Sequence, residues 1–191
     1  LSNRVSQKFT DALGVSPERL ARYTKPTDPD FIARLERYKP VTREQVNRLW
    51  YGRENLHPQR YDPSRYRGVN LNALYYLGSI EFRWFQFSGG LHAGELKAFV
   101  TLVLAIAAKA LNGRAASSRN KREFDSVSAR FQFRVFLLRL GLIGPNHKTV
   151  RMHLLKKMPG DSAFKTREQR LKHAAKRKGQ PAAEAIANHE S

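Results

Sequence analysis

Residues 65–110 read RYRGVNLNALYYLGSIEFRWFQFSGGLHAGELKAFVTLVLAIAAKA, and this stretch constrains the fold more than any other. Ile80, Phe82 and Trp84 alternate with Glu81, Arg83 and Phe85, the period-two pattern of a strand with two unlike faces. Two β-type runs, 68–74 and 79–87, are expected to pair antiparallel through a turn at Leu77-Gly78. A Gly89-Gly90 break follows, then an apolar helix over 94–112, expected to be buried on most sides against the sheet. The class this implies is α+β, an antiparallel sheet packed with helices.

The text before this stretch is helical and well punctuated. Ser16-Pro17 reads as an N-cap followed by proline at the first helical position, which places a short helix over 16–23. A second helix over 30–38 would turn Phe31, Ile32 and Leu35 inward and stop before Pro40. Thr42 and Gln45 form a capping box, with Val41 and Val46 as the expected hydrophobic staple and Gly52 as the stop. Residues 53–66 read as an irregular surface loop, or as a phosphate grip in which Tyr61 and Tyr66 interleave with arginines.

After the apolar helix, residues 114–125 read as a basic linker. A helix over 127–140 is expected to face inward with Phe131, Val135, Phe136 and Leu138, and a last one over 147–158 with Val150, Leu154 and Leu155. Residues 1–160 are therefore one domain, and 161–191 a basic, flexible tail.

Charge limits the partners. Thirty-five Lys and Arg against sixteen Asp and Glu leave a formal net charge of +19 on 191 residues, so the ligand or partner is expected to be anionic. The basic tail and the 119–122 cluster would attract nucleic acid nonspecifically. The absence of cysteine excludes disulfides, thiolate metal sites and thiol nucleophiles. The most apolar run is interrupted by Lys97 and Lys109 and is too short for a bilayer, so no membrane partner and a cytoplasmic location are expected. The chain begins at Leu1 without an initiator Met and reads as a fragment or a processed chain.

No P-loop, GxGxxG, GxSxG or HExxH pattern is present. His92, where strand gives way to helix, is the one histidine placed to meet a ligand, though a solvated loop histidine is the plainer reading. The strongest constellation is Glu81 and Arg83 on one strand beside Asn70 and Asn72 on the other, four polar side chains able to converge if the strands pair. Two readings stand side by side: a cross-strand salt bridge on a solvated face, or a site in which a carboxylate holds a cation and a guanidinium clamps an anion.

The core N-L-x-A-L followed by I-E-F-R-W-F, flanked by RLARYTKPTDPDFIARLERYKPVT and by FLLRLGLIG with RMHLL, resembles the C-terminal half of the amidoligase family over residues 23–164. That family is similar in fold to the carboxylate–amine ligases, the group of glutamine synthetase and glutamate–cysteine ligase. The resemblance implies a ligase dependent on ATP and magnesium (Mg2+) that activates a carboxylate as an acyl phosphate and joins it to an amine. Its partners would be a nucleotide and a small-molecule or peptide carboxylate and amine.

Carried onto this chain, the resemblance makes Glu81 and Arg83 the catalytic pair, with Glu81 also the metal ligand. Asn70 and Asn72 would bind substrate or nucleotide, with Arg65 and Arg67 as supporting phosphate contacts. The family's paired Glu-x-Glu ligands and histidine motif have no counterpart in residues 1–60, and Gln86-Phe87-Ser88-Gly89-Gly90 replaces its usual Asn-Gly-Thr turn. The chain is therefore expected to be the C-terminal portion of such an enzyme or a member that has lost activity. The reading from another class is a non-catalytic, basic nucleic-acid-binding or assembly protein.

Overall fold

The computed structural model describes Thr10 and residues 13–87, 90, 92–113 and 125–178. It divides into two compact units, one of residues 1–91 and 110–122, the other of 92–109 and 123–191.

In the first unit α1 (Pro17–Arg22) starts where the Ser16 hydroxyl accepts from the Arg19 amide, as the Ser-Pro signal requires. Helix α2 (Pro29–Tyr38) is capped by Asp28 and ends at Lys39, a left-handed residue one short of Pro40. Helix α3 (Arg43–Tyr51) begins with the full Thr42–Gln45 capping box and ends at left-handed Gly52. The staple does not form: Val41 is 89% exposed. The Gln45 side chain instead reaches past Thr42 to accept from the Val41 amide at 2.7 Å, which holds the entry without an apolar contact. Phe31 of α2 meets Trp50 of α3 edge to face at 5.0 Å, and buried Asn47 exchanges two hydrogen bonds with the Asn55 backbone.

The two expected strand runs are mostly not strand. Strand β1 is Val69–Asn70 and β2 is Glu81–Phe82, antiparallel, with Val69 opposite Phe82 and Asn70 opposite Glu81. Between them lies a helix, α4 (Asn72–Leu77), in place of a continued strand. The reason is local: residues 71–77 contain no β-branched side chain, the Asn70 side chain accepts from the Ala73 amide, and left-handed Gly78 closes the last turn. The glycine that reads as a hairpin turn is a helix stop. Tyr75 packs on α3, its hydroxyl donating to the Arg43 carbonyl at 3.1 Å. The element classes are thus helix-rich α+β with a single two-stranded sheet among the described residues.

In the second unit α5 (Ala93–Leu111) buries Ala98, Phe99, Leu102 and Ile106. Leu96, Val100 and Leu104, four apart on another side, are exposed, so the helix is buried on one face rather than on most sides. Helix α6 (Ala129–Arg139) turns Ala129, Phe133 and Leu137 inward. Phe131, Val135, Phe136 and Leu138, the expected inward set, are only half-buried. A helix with apolar residues on several sides does not announce which stripe will be covered. Helix α7 (Lys148–Leu155) buries the expected Val150, Leu154 and Leu155, and Arg151 clamps the preceding loop through the Leu142 and Gly144 carbonyls. Part of the expected tail is helical, α8 (Arg167–Lys178), which buries Ala175. The 119–122 cluster, Ser88-Gly89 and residues 179–191 lie outside the described residues. Among the described residues no helix is long and apolar enough to cross a membrane.

Candidate functional site

The short sheet places Asn70 directly across from Glu81, and the two side chains meet. Asn70 Nδ2 donates to Glu81 Oε2 at 2.6 Å, and Arg83 Nη1 donates to Glu81 Oε1 at 2.8 Å. Both carboxylate oxygens are thus engaged, one by a neutral donor and one by a charged donor. Pairing continues one residue past β2, where the Arg83 amide donates to the Gly68 carbonyl at 2.8 Å. Arg83 is also held from afar: its Nε donates to the Tyr23 carbonyl at 2.9 Å, and Arg19 Nη2 donates to the Arg83 carbonyl at 3.2 Å. The side chain of Arg83 is 11% exposed and that of Glu81 is 42% exposed, so the carboxylate is the solvent-facing member.

Arginines and tyrosines line up beside this network. The Arg83 guanidinium lies 5.7 Å from the Tyr66 ring centre, and Arg65 lies at the same distance from Tyr66 and 5.0 Å from Tyr61. Tyr23 meets Tyr66 edge-on at 6.0 Å. Arg65 gives one bond to the Arg60 carbonyl, while its Nε is buried without a partner among the described residues. Arg67 donates to the Pro26 carbonyl at 2.9 Å, and the backbone bridge between Lys25 and Arg67 fixes the segment.

The structure therefore brings Asn70, Glu81, Arg83 and Arg65 to one neighbourhood, with Arg67 on the adjoining backbone. Asn72 is not with them. It sits on α4, 1% exposed, with Oδ1 accepting from the Tyr51 hydroxyl at 2.5 Å and Nδ2 donating to the Gln59 carbonyl at 3.1 Å. Its amide joins α3, the following loop and α4. Strand alternation had put Asn72 on the same face as Asn70; the turn of helix moves it away. Arg19 and the Tyr23 carbonyl are the contributors that sequence reasoning missed, because they lie about sixty residues from Arg83 with no local pattern linking them.

Tyr51 and Tyr75 titrate above the ordinary 10.0. Burial is the main cause for both, with Asp62 adding to it at Tyr51 and Arg43 opposing it at Tyr75. Such protons leave the unfolded chain first, so the stability they contribute is complete below about pH 10 and is lost as pH rises through the folded values. Urea midpoints measured between pH 9 and 11 should fall with pH, and Tyr51→Phe should flatten that descent while lowering the stability at pH 8 by about 1–3 kcal/mol through lost Asn72 pairing. An unchanged slope in the variant would show that Tyr51 is not the group responsible.

His92 lies in the second unit and has a partner no local spacing announces: it stacks on His153 at 5.4 Å. Among the described residues no group of three or more His, Asp or Glu stands together as a metal cage.

The sequence profile of a family described as "Putative amidoligase enzyme" matches residues 4–107. The match starts earlier than the 23–164 expected from the motifs and ends within α5, so it takes in the whole Asn70–Glu81–Arg83 network and leaves most of the second unit outside. No curated protein and no solved structure matches the chain.

Proposed function

The chain belongs to the amidoligase family, and from that membership we propose that it is an ATP-dependent carboxylate–amine ligase of the glutamine-synthetase-like kind. Ligase chemistry of this class asks the protein for positioned cations and in-line orientation rather than for a nucleophile. The observation that supports the reading is Arg83, fixed by Glu81 and the Tyr23 carbonyl beside Tyr66 and Arg65. Guanidinia arranged around aromatic rings suit a phosphate chain and a flat base at once.

ATP would be held by Arg83 and Arg65, with Arg67 in support and the Tyr61 and Tyr66 rings offering stacking faces. Magnesium would find one carboxylate here, Glu81, whose oxygens each keep a lone pair beyond the hydrogen bond they accept. That donor set fits an ion which takes most of its ligands from phosphate and water. When bound, the metal-nucleotide supplies the phosphoryl group for carboxylate activation. Asn70 orients Glu81, Glu81 orients Arg83, and Arg83 neutralises negative charge on the group being transferred. The carboxylate and amine are small molecules or peptide groups.

Isothermal titration of the chain with Mg-ATP should give saturable heat that is lost in Arg83→Gln. No heat in the wild-type chain, or equal heat in the variant, would count against the assignment. A second reading, nonspecific nucleic-acid binding, is favoured by α8, whose sequence REQRLKHAAKRK carries one acidic residue among many basic ones. It differs in outcome: steep salt dependence, and affinity that survives Arg83→Gln.

A further inference from the structure

Residues 16–25 are fastened at both ends to the part of the first unit that carries Arg83. At one end the Ser16 amide donates to Gln86 Oε1 at 2.8 Å. At the other the Lys25 amide donates to the Tyr66 carbonyl at 3.0 Å, and the Lys25 carbonyl accepts from the Gly68 amide at 2.9 Å. The Gly68 carbonyl accepts from the Arg83 amide at 2.8 Å, which closes the circuit. Local pattern does not account for these bonds, since the Ser16 and Gln86 partners stand 70 residues apart.

Between those ends α1 and its C-cap reach Arg83 twice. Arg19 Nη2 donates to the Arg83 carbonyl at 3.2 Å, and the Tyr23 carbonyl accepts from Arg83 Nε at 2.9 Å. The two contacts are tied together, because the Arg19 carbonyl accepts from the Tyr23 and Thr24 amides at 2.8 and 3.1 Å. Thr24 is buried, so the end of that turn is enclosed as well as bonded. A long side chain keeps its rotamer freedom unless its root and its head are both held. Here the root, at the Arg83 carbonyl, and the head, at Nε, are held from one short segment. Glu81 takes Nη1, and Nη2 is the nitrogen these bonds leave over.

We propose that residues 16–25 are a clasp that sets the pose of Arg83, with Arg19 as its positioning residue. Arg19 touches no ligand; it acts through Arg83, keeping Nη2 aimed at the phosphate chain of the bound nucleotide. The clasp meets the ordering cost of the arginine during folding, so less of it falls on the binding step. The use made of that pose rests on the Mg-ATP reading above, whereas the hold on Arg83 does not. Coupling of this kind is reciprocal, so a bound nucleotide should in turn slow amide exchange in residues 19–25.

The test joins nitrogen-15 NMR of the arginine Nε–H groups to Mg-ATP calorimetry, both on the full chain. The Arg83 resonance is identified by its loss in Arg83→Gln. Arg19→Met keeps the aliphatic stem and removes the donor; it should shift that resonance, speed its exchange with water, and weaken Mg-ATP about three- to tenfold. Arg19→Lys restores a donor and should recover part of each effect. Gln86→Met, which releases the far end of the clasp, should act in the same direction and serves if Arg19→Met does not fold. Tyr51→Phe lowers stability without touching Arg83 and should change neither readout. An Arg83 resonance unmoved in the Arg19 and Gln86 variants, a moved resonance with unchanged Mg-ATP affinity, or an equal response in Tyr51→Phe would overturn the proposal. Without Mg-ATP heat in the wild-type chain, a resonance that still moves in Arg19→Met would leave the clasp standing and remove the nucleotide reading. Binding lost in Arg83→Gln but intact in Arg19→Met would remove the clasp alone.

Discussion

Glu81→Ala should cost about 2 kcal/mol of stability and abolish Mg-ATP binding, whereas Glu81→Gln should abolish turnover at a cost of about 1 kcal/mol or less. The alanine variant leaves Asn70 Nδ2 and Arg83 Nη1 without their acceptor, and Arg83 is the more enclosed of the pair. Glu81 itself is 42% exposed, so water recovers part of the loss and the cost stays below that of a fully buried pair. Glutamine keeps one carbonyl oxygen for Asn70 or Arg83 but removes the negative charge proposed to hold the magnesium ion. Comparing the two variants by urea denaturation and by amide formation separates holding the fold from doing the chemistry. Full turnover in Glu81→Gln would exclude the Glu81 charge from the reaction.

A larger loss is expected at Gly68. An added Cβ would overlap Trp84 Nε1 and stand 2.5 Å from Trp84 Cδ1, with the indole buried. The backbone cannot retreat, because the Gly68 amide donates to the Lys25 carbonyl at 2.9 Å and its own carbonyl accepts from the Arg83 amide at 2.8 Å. Gly68→Ala should therefore destabilise the chain by about 3 kcal/mol or more, the upper end of overpacking costs, and loosen Arg83 through the shared hydrogen bond. Trp84→Leu alone should lose stability through the smaller side chain, yet added to Gly68→Ala it should restore part of what the alanine cost. A Gly68→Ala variant that melts with the wild type would mean that the indole can move aside freely.

The two substitutions bear on the same geometry from opposite sides. Glu81 holds Arg83 through its side chain and Gly68 through its main chain, and the Tyr23 carbonyl supplies the third restraint. An arginine fixed at three points, two of them on its guanidinium, loses little freedom when an anion arrives, which favours binding without adding any contact.

Helix punctuation was legible from local text. Ser16, Thr42, Gln45 and Gly52 act within a few residues of themselves, so their pattern implies their role whatever surrounds them. That Glu81, Arg83 and Asn70 could converge was legible too, from alternation along β2 and antiparallel pairing, but the register that puts Asn70 opposite Glu81 came from the helix between the strands. The family match spans these residues.

What could not be read was settled by competition between local preferences and distant contacts. Residues 72–77 suit a strand by their tyrosines and a helix by their lack of β-branching; Asn70, Gly78 and the packing of Tyr75 on α3 decided for helix and carried Asn72 out of the site. The inward stripe of α6, the exposed side of α5 and the His92–His153 stack depend on which surfaces meet, and periodicity within one helix does not contain that information. The same holds for Arg130 and Arg170, forty residues apart in sequence, which line one groove beside the Pro159-Gly160 turn. Sequence alone thus determined the caps, the net charge and the polar face of β2, all products of neighbouring residues. Tertiary structure decided which guanidinia gather, since that depends on contacts between residues far apart in the chain.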